Sequence, residues 1–455
     1  MKKTMKRAHI VYVLIAAFLC GVIFLGVEYA LNAPTWATDR ANTHIFTRGI
    51  MTTAGKILDR NGEILAETKN GKRVFSDSPG TRKACLHIVG DTSGFISTGT
   101  HSFYRSQLSG YNFFDGIYGL KHGGRESNIT LNIDSEANRI AFESFGEYNG
   151  TIAVCNYKTG ELVCSVSKPT YDVNNVPEKL RTSPEYEGVF LDKAVSGIYT
   201  PGSIMKIVTA ACALENIPDI GSRKFECKGE FSTSDGTIIC TDKHGTISFQ
   251  QAFNQSCNCA FGQIALELGA EKLTSTAEAL GFNRSLSAKE IPLVKSRFHP
   301  KASSKADTAW AGIGQSTTYV NPIHFLSVMN AIANGGTGFS PDRIKTMGFA
   351  GEFVGRIPET MVKMNPETAA ELKTMLRNAV RDKYGDDRFP DLKMCGKTGT
   401  AEIEGKKSTS VFVGFSSRED LPLAVICFAE EAGWGSGAAT RISNAVLQYF
   451  LKYYA

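Results

Sequence analysis

The chain has 455 residues, of which 42% are hydrophobic and 21% are charged, and its formal net charge is +5. This composition excludes a largely disordered chain. Four of the 50 basic residues lie among the first seven positions, and the other 46 nearly balance the 45 acidic ones. The chain therefore lacks the basic surface that is typical of nucleic-acid-binding proteins, and no nucleic-acid partner is expected.

An uncharged apolar run extends from Ile10 to Val27, directly after the basic start. A helix of about 20 apolar residues spans the hydrocarbon layer of a membrane. The run is longer than the apolar core of a secretory signal peptide, and no clear cleavage site follows it. We therefore predict that residues 1–32 form a cytoplasmic tail and an uncleaved transmembrane anchor. The positive-inside rule places everything after Asn32 outside the cytoplasm, in a single-pass protein of the cell membrane.

The rest of the chain divides into two regions that differ in composition and in apolar patterning. Residues 33–128 are rich in Gly and Ser, with short apolar pieces and a predicted hairpin around the Asn61-Gly62 turn, and they predict a small β-rich domain. Residues 129–455 predict an α+β domain in which strands from both ends form one sheet. Its predicted elements are a helix from Asp134 to Phe145, a hairpin over 151–167, strands at Met394–Ala401, Thr409–Phe415 and Pro422–Ala429, a closing helix at Ala439–Tyr453, and mainly helices between 168 and 390.

Three short motifs could carry chemistry, and they are Ser203-Ile-Met-Lys206, Ser256-Cys-Asn258 and Lys397-Thr-Gly399. Each is weak alone, because S-x-x-K should occur by chance about once or twice in a chain of this length. Second copies do exist, at Ser165–Lys168 and Lys158–Gly160. They occur in the reverse order, in a predicted strand and a turn, and we interpret both as structural.

Ser203 lies at the predicted start of a helix, and Lys206 follows one turn later on the same face. The positive end of the helix dipole should lower the pKa of the lysine, and a neutral amine beside a serine hydroxyl can activate it as a nucleophile. For an isolated motif, the alternative is that Ser203 merely caps the helix.

The other two motifs offer complementary groups. Ser256 could pass a proton, and Asn258 could bind an amide. Lys397 offers a positive charge to a carboxylate, the hydroxyls of Thr398 and Thr400 could bind it, and Gly399 allows close approach of a ligand backbone.

S-x-x-K with S-D-N and K-T-G marks class A β-lactamases and penicillin-binding proteins. This chain resembles the penicillin-binding proteins, in the monofunctional, class B-like form. Further matching motifs are Asp59-Arg-Asn-Gly62, Thr159-Gly-Glu161, Tyr199-x-Pro-Gly-Ser203, Gly314-Gln315, Asn321-Pro322, Ala333-Asn-Gly-Gly336 and Phe412-Val-Gly-Phe415. The middle residue of the second motif departs from S-D-N and is Cys257.

The resemblance implies a β-lactamase/transpeptidase-like fold, with a five-stranded antiparallel sheet flanked by helices, and a pedestal domain at 33–128. It implies a peptidoglycan D,D-transpeptidase whose Ser203 is acylated by stem peptides or β-lactams. Lys206 would take the proton, Ser256 and Asn258 would assist, and the Lys397 motif would hold the terminal carboxylate. The backbone N–H groups of Ser203 and Thr400 would form the oxyanion hole. No cofactor is implied, and a membrane glycan polymerase is an expected partner.

Two other functions stay open at this point. The first is a D,D-carboxypeptidase or β-lactamase, although we identify no glutamate for deacylation. The second is a non-catalytic, membrane-tethered β-lactam-binding scaffold.

Eleven cysteines are many for an extracytoplasmic protein. Cys227 and Cys240 flank a glycine-containing turn and could form a disulfide. Cys257 and Cys259 lack the spacing of metal ligands, and no matching His/Cys cluster follows them, so we expect no metal site.

Overall fold

A computed structural model of the chain describes residues 2–43, 45–47, 50–111, 116, 128–348, 357–402, 405, 407–433 and 437–454. An N-terminal helix spans Lys2–Ala37 and contains the whole predicted apolar run. Its segment Arg7–Ala37 is long and apolar enough to cross a membrane, and its most apolar stretch is not buried by the rest of the chain. The helix therefore offers an apolar surface that a bilayer could cover.

The centre of the molecule is an antiparallel sheet of five strands, which we call the central sheet. In spatial order its strands are Met394–Ala401, Thr409–Ser416, Leu423–Ala429, Gly150–Asn156 and Leu162–Lys168. Strands from the two ends of the predicted domain thus lie side by side, which confirms the predicted α+β architecture.

Both faces of the central sheet are covered, because alternate side chains of its strands enter two separate hydrophobic cores. Ile152, Val154 and Phe412 pack with the helices Ser135–Phe145 and Ala438–Tyr454 on one face. Ala153, Val411 and Ile426 face the larger core, which contains the other major helices. Burial on both faces explains why most of these strands have apolar residues at consecutive rather than alternating positions. Met394–Ala401, which contains the Lys397 motif, is the exception.

The region between the end strands is mainly helical, as predicted, and it also contains short hairpins. Its longer helices are Lys206–Asn216, Asn258–Ala279, Lys305–Gly312, Pro322–Ala333 and Pro366–Ala379, and its shorter ones are Lys193–Ser196 and Phe249–Asn254. Its two-stranded sheets pair Lys224–Cys227 with Gly245–Ser248, Glu230–Ser232 with Thr237–Ile239, Ser287–Ala288 with Ile291–Pro292, and Thr337–Phe339 with Thr360–Lys363. The chain between Lys224 and Ser248 packs beside the start of the long helix Asn258–Ala279.

A second five-stranded sheet lies in the N-terminal region, and we call it the pedestal sheet. Its strands, in spatial order, are Ile344–Gly348, Asn128–Leu131, Ile57–Leu58, Ile64–Lys69 and Lys72–Phe75. The predicted Asn61-Gly62 turn joins two of them. The edge strand Ile344–Gly348 comes from the predicted C-terminal domain, so the two regions share one sheet. The region also contains the short pair Phe46–Thr47 and Ile50–Met51, and the short helices Pro79–Ala84, Leu86–Val89, Thr100–Phe103 and Arg105–Leu108.

Candidate active site

Ser203 lies in a tight turn, Gly202–Met205, that leads directly into the helix Lys206–Asn216. Two glycines let three chain segments meet there. Gly202 has a φ of +56°, and a Cβ on it would lie 2.3 Å from the carbonyl oxygen of Thr400. Gly314 has a φ of +87°, and a Cβ on it would lie 2.0 Å from the carbonyl oxygen of Gly202. Neither position could carry a side chain without moving the backbone around Ser203.

The amine of Lys206 is the centre of the site. Its Nζ lies 3.0 Å from Ser203 Oγ, 3.0 Å from Ser256 Oγ, 2.6 Å from the Ser256 carbonyl oxygen and 2.8 Å from Asn258 Oδ1. The last two oxygens can only accept hydrogen bonds. A neutral amine has two N–H groups for them, which leaves its lone pair for a serine hydroxyl. The arrangement therefore suits a lysine that acts as a base toward serine.

Two causes lower the pKa of Lys206 well below its ordinary value. Burial of the side chain is the larger, and repulsion by the charge of Lys397 is the second. Full burial, rather than the helix N-terminus expected from the sequence, is therefore the main cause of the lowered pKa.

The second motif reaches Lys206 from a strained turn. Ser256 has a φ of +56°, in the left-handed region that non-glycine residues seldom adopt. Cys257 then caps the helix Asn258–Ala279, with its Sγ accepting a hydrogen bond from Ala260 N. Asn258 donates through Nδ2 to the carbonyl oxygen of Ile239, at 2.9 Å. The turn is held from both sides, which is how a strained conformation persists in a folded protein.

The third motif forms the strand Met394–Ala401 at the edge of the central sheet, as predicted. Lys397 is fully buried, and this burial lowers its pKa to about 7. Its Nζ lies 3.1 Å from the carbonyl oxygen of Thr398 and 3.3 Å from Tyr384 Oη. A Cβ on Gly399 would lie 2.9 Å from the carbonyl oxygen of Pro201, so the strand contacts the Ser203 turn closely.

These motifs meet around one cleft, with a volume of about 580 Å³. Ser203, Ser256, Asn258, Thr398, Gly399 and Thr400 all line it. Lys397 is buried beside it, next to the lining residues Tyr384 and Thr398. The remaining lining residues are Ile239, Cys240, Thr241, Asn254, Gln255, Trp310, Ile313, Gln315, Lys383, Tyr384, Arg388 and Glu402. The structure thus brings together all the residues predicted for catalysis and substrate binding. Of the two cysteines of the predicted disulfide, Cys240 lines the cleft and Cys227 does not. The cleft can receive a chain with a carboxylate at one end and a carbonyl at Ser203.

Comparison with known proteins decides the family. The sequence model described as penicillin binding protein transpeptidase domain matches residues 150–448, well over half of the chain. The chain belongs to this family. The peptidoglycan D,D-transpeptidase PbpA of Mycolicibacterium smegmatis is 26% identical over 368 residues, which cover 72% of this chain and 73% of that protein. The MrdA transpeptidase of Acinetobacter baumannii is 22% identical, over 73% of this chain and 56% of that protein.

Solved structures agree with the assignment. The D,D-transpeptidase domain of a peptidoglycan glycosyltransferase from Eggerthella lenta superposes with a TM-score of 0.75 at 25% identity, covering 88% of this chain and 99% of that one. The ceftriaxone acyl-enzyme of penicillin-binding protein A from Mycobacterium tuberculosis gives a TM-score of 0.77 at 20% identity, covering 87% and 98%. The predicted transpeptidase-like fold is confirmed.

Sequence reasoning missed Tyr384 in this transpeptidase-family cleft. The residue ends a wide helical turn, Val380–Tyr384, and its Oη lies 3.2 Å from Thr398 Oγ1 and 3.4 Å from Thr398 N. It therefore contacts both the lysine and the first threonine of the third motif. A lone tyrosine more than ten positions before the motif gave no signal in the sequence.

The duplicate motifs are structural, as predicted. Ser165 is buried in the strand Leu162–Lys168, where its N–H donates to Asn138 Oδ1 at 3.0 Å. Lys158 and Gly160 form the turn that precedes this strand. Neither copy lines the cleft.

The predicted disulfide between Cys227 and Cys240 is not formed, and all eleven cysteines are free. Both sulfur atoms instead face Nδ1 of His244, at 3.4 and 3.5 Å. Cys257 Sγ completes a cluster in which all four candidate ligand atoms lie within 4.8 Å of one another. No His/Cys cluster follows Cys257 along the chain, but Cys227, Cys240 and His244 precede it, and folding brings their ligand atoms to its Sγ. Spacing along the chain therefore does not exclude a metal site here.

Proposed function

We propose that the protein is a peptidoglycan D,D-transpeptidase that cross-links stem peptides through an acyl-enzyme on Ser203 and is acylated by β-lactams. The observation that carries the proposal is the position of Lys206 Nζ, 3.0 Å from both Ser203 Oγ and Ser256 Oγ. The names of the relatives and the acyl-enzyme structures of M. tuberculosis penicillin-binding protein A support it.

In the acylation step, Ser203 Oγ attacks the carbonyl carbon of the terminal D-alanyl-D-alanine amide. The neutral Lys206 amine takes the hydroxyl proton, and the N–H groups of Ser203 and Thr400 bind the oxyanion. Such a donor is worth about 3 kcal/mol in the transition state. Ser256 Oγ relays a proton from Lys206 to the departing amine, the C–N bond breaks, and D-alanine leaves.

The third motif fixes the substrate at its other end. Lys397 supplies positive charge from its buried position beside the cleft, and the hydroxyls of Thr398 and Thr400 bind the terminal carboxylate. Asn258 positions the acyl chain. In the second step the amine of another stem attacks the ester carbonyl, Ser203 Oγ recovers a proton, the ester breaks, and the cross-linking amide forms.

We propose a placement relative to the membrane from the charges that flank the N-terminal helix and from the pedestal sheet. The basic residues before the N-terminal helix favour a cytoplasmic N-terminus and an extracytoplasmic cleft. Residues 33–128 act as a pedestal between the membrane and the transpeptidase domain at 129–455. A membrane glycan polymerase, which would supply the uncross-linked strands, is the partner that this arrangement suits.

The test uses the full-length protein in detergent with glycan strands that carry pentapeptide stems. Mass spectrometry of the digested strands should show cross-linked stem dimers and released D-alanine. Ser203→Ala should abolish both products, and Ser165→Ala, in the duplicate motif, should not, provided that the variant folds. Shortened stems without any dimers would identify a carboxypeptidase and would contradict the proposal.

A further inference from the structure

The cluster of Cys227, Cys240, His244 and Cys257 lies directly behind the second motif. We call it the Cys3His cluster. The three cysteines are buried and the histidine is half-buried. Its members come from the end of the strand Lys224–Cys227, from the loop before Gly245–Ser248, and from the cap of the helix Asn258–Ala279.

The spacing of the four groups matches a tetrahedral metal site. Cys240 Sγ lies 3.8 Å from Cys257 Sγ, and the Cys227 and Cys240 sulfurs lie 3.4 and 3.5 Å from His244 Nδ1. Zinc binds sulfur at about 2.3 Å and imidazole nitrogen at about 2.0 Å, so a tetrahedron requires S···S edges of ~3.8 Å and S···N edges of ~3.5 Å. A disulfide would require the sulfurs to lie about 2.05 Å apart. The distances in the cluster fit the metal site and not the disulfide.

Backbone N–H groups around the cluster point at two of its sulfur atoms, which stabilises them as thiolates. Asn258 N–H points to Cys240 Sγ at 3.3 Å, and Ala260 N–H points to Cys257 Sγ at 3.4 Å. Both N–H groups belong to the first turn of a long helix, whose positive end favours negative charge. Such N–H···S contacts orient thiolate ligands in metal sites.

We propose that Cys227, Cys240, His244 and Cys257 bind one Zn²⁺ ion, which fixes the Ser256–Asn258 turn against the Lys224–Ser248 hairpin. Four protein ligands close the coordination sphere, so the ion has a structural role and does not itself activate water. The mixed sulfur and nitrogen donor set favours zinc over calcium or magnesium.

The position of Cys257 gives the ion its effect on the active site. Cys257 stands between Ser256 and Asn258, the two residues of the motif that contact Lys206 Nζ. Ile239, Cys240 and Thr241, on the other side of the cluster, line the cleft. The ion would therefore hold one cleft wall and the strained backbone of Ser256 together. The motif's middle residue acts as a positioning residue.

Metal content tests the site directly. The full-length protein is purified under reducing conditions, and its metals are measured by inductively coupled plasma mass spectrometry. We expect about one zinc per chain, lost in Cys227→Ser and Cys257→Ser. Cys212→Ser is the matched control, because Cys212 is buried and free but lies outside the cluster. His244→Ala, at the half-buried ligand, serves where a cysteine variant does not fold.

Two further measurements complete the test. Co²⁺ added to the metal-free protein should give the absorption bands of a tetrahedral thiolate site. Removing zinc should slow acylation by a fluorescent penicillin about 10-fold or more, and returning zinc should restore it. Zinc-independent acylation would overturn the positioning role.

Other outcomes would overturn the site itself. The first is a wild-type protein that contains no zinc and also fails to bind added Zn²⁺ or Co²⁺. The second is an equal zinc content in the wild type and the cluster variants. The third is a thiol count that reveals a disulfide. The metal measurement is independent of the proposed function, because a protein that binds zinc but does not react with penicillin would refute only the function.

Discussion

Lys206 and Lys397 are both fully buried beside the same cleft. Each loses hydration, and the charge of Lys397 further lowers the pKa of Lys206. The arrangement favours a neutral Lys206 with a charged Lys397, and these are the states that a base and a carboxylate-binding group require. Their surroundings thus give the two lysines different charge states, which suit the different roles proposed for them.

This difference predicts a bell-shaped dependence of acylation on pH. The rate constant for acylation by benzylpenicillin should rise as Lys206 loses its proton, and it should fall above the pKa of Lys397, which burial lowers to about 7 in the free protein. The two limbs describe the coupled pair. Stopped-flow rates across pH provide the measurement. The methyl ester of the drug, which has no carboxylate, should lack the falling limb. A falling limb that the ester retains would contradict the assigned role of Lys397.

Tyr384→Phe should weaken the hold on the substrate carboxylate. The phenol Oη contacts Thr398 N, Thr398 Oγ1 and Lys397 Nζ, and its loss should cost about 1 kcal/mol. We expect about a fivefold lower acylation efficiency, expressed in drug affinity more than in the chemical step. Tyr148→Phe, at an exposed tyrosine away from the cleft, is the control and should react like the wild type. Equal rates in both variants would show that Tyr384 only packs.

At the scale of elements, the site depends on the close approach of the Gly314 loop to the turn before Ser203. Gly314→Ala places a Cβ in contact with the Gly202 carbonyl oxygen at a positive φ. The expected loss in the free energy of unfolding is about 2 kcal/mol or more, together with slower acylation. Denaturant unfolding and acylation rates measure both. Gly221→Ala is the control, because nothing lies within 4 Å of a Cβ there. Similar stabilities for the two variants would contradict the close-contact argument.

Element prediction from the sequence succeeded where elements are long and apolar. The strands Thr409–Ser416 and Leu423–Ala429 and the hairpin over 151–167 are rich in apolar residues, because both faces of the central sheet are buried. The strand Met394–Ala401 is less apolar and is marked by its Lys397 motif. The strands of the Lys224–Ser248 hairpins have three or four residues each and alternate between buried and exposed positions. These short strands are stabilised by packing on neighbouring helices, and a local sequence pattern does not indicate such packing.

For the whole molecule, the pedestal region and the transpeptidase region are joined by polar side-chain contacts as well as by strand pairing in the shared pedestal sheet. Arg82, on the pedestal helix Pro79–Ala84, binds both carboxylate oxygens of Asp172, at 2.6 and 2.7 Å. Arg343 donates to the carbonyl oxygen of Thr98 at 2.7 Å. With the shared pedestal sheet, these contacts should hold the cleft in a fixed orientation to the anchor.

Arg82→Ala should loosen this junction. The ion pair is largely buried, so removing one partner should cost about 2 kcal/mol, whereas Arg139→Ala in an exposed pair should cost less than about 1 kcal/mol. Thermal melting and hydrogen exchange of the pedestal provide the measurement. The Arg82 guanidinium lowers the pKa of Asp172, so the stabilisation is present above the ordinary aspartate pKa. It should fade as the pH falls through the lowered value. An Arg82 effect unchanged in acid would contradict the ion-pair account.

The site itself was predictable in part. The order of the motifs along the chain was enough to predict that Ser203, Lys206, Ser256, Asn258 and Lys397 lie together, because each motif is local and has distinctive residue types. The contact of Tyr384 with the third motif and the Cys3His cluster could not be predicted, because the residues involved are separated in sequence and are brought together by folding. Burial, which determines the charge states of the two lysines, is likewise a property of the whole fold.

The nucleophile can be identified from the intact mass of the full-length protein after reaction with benzylpenicillin. We expect one covalent adduct that survives denaturation, maps to the peptide containing Ser203, and is absent from Ser203→Ala but present in Ser165→Ala. An adduct on another residue, or no adduct on a folded protein, would contradict the assignment of Ser203 as the nucleophile.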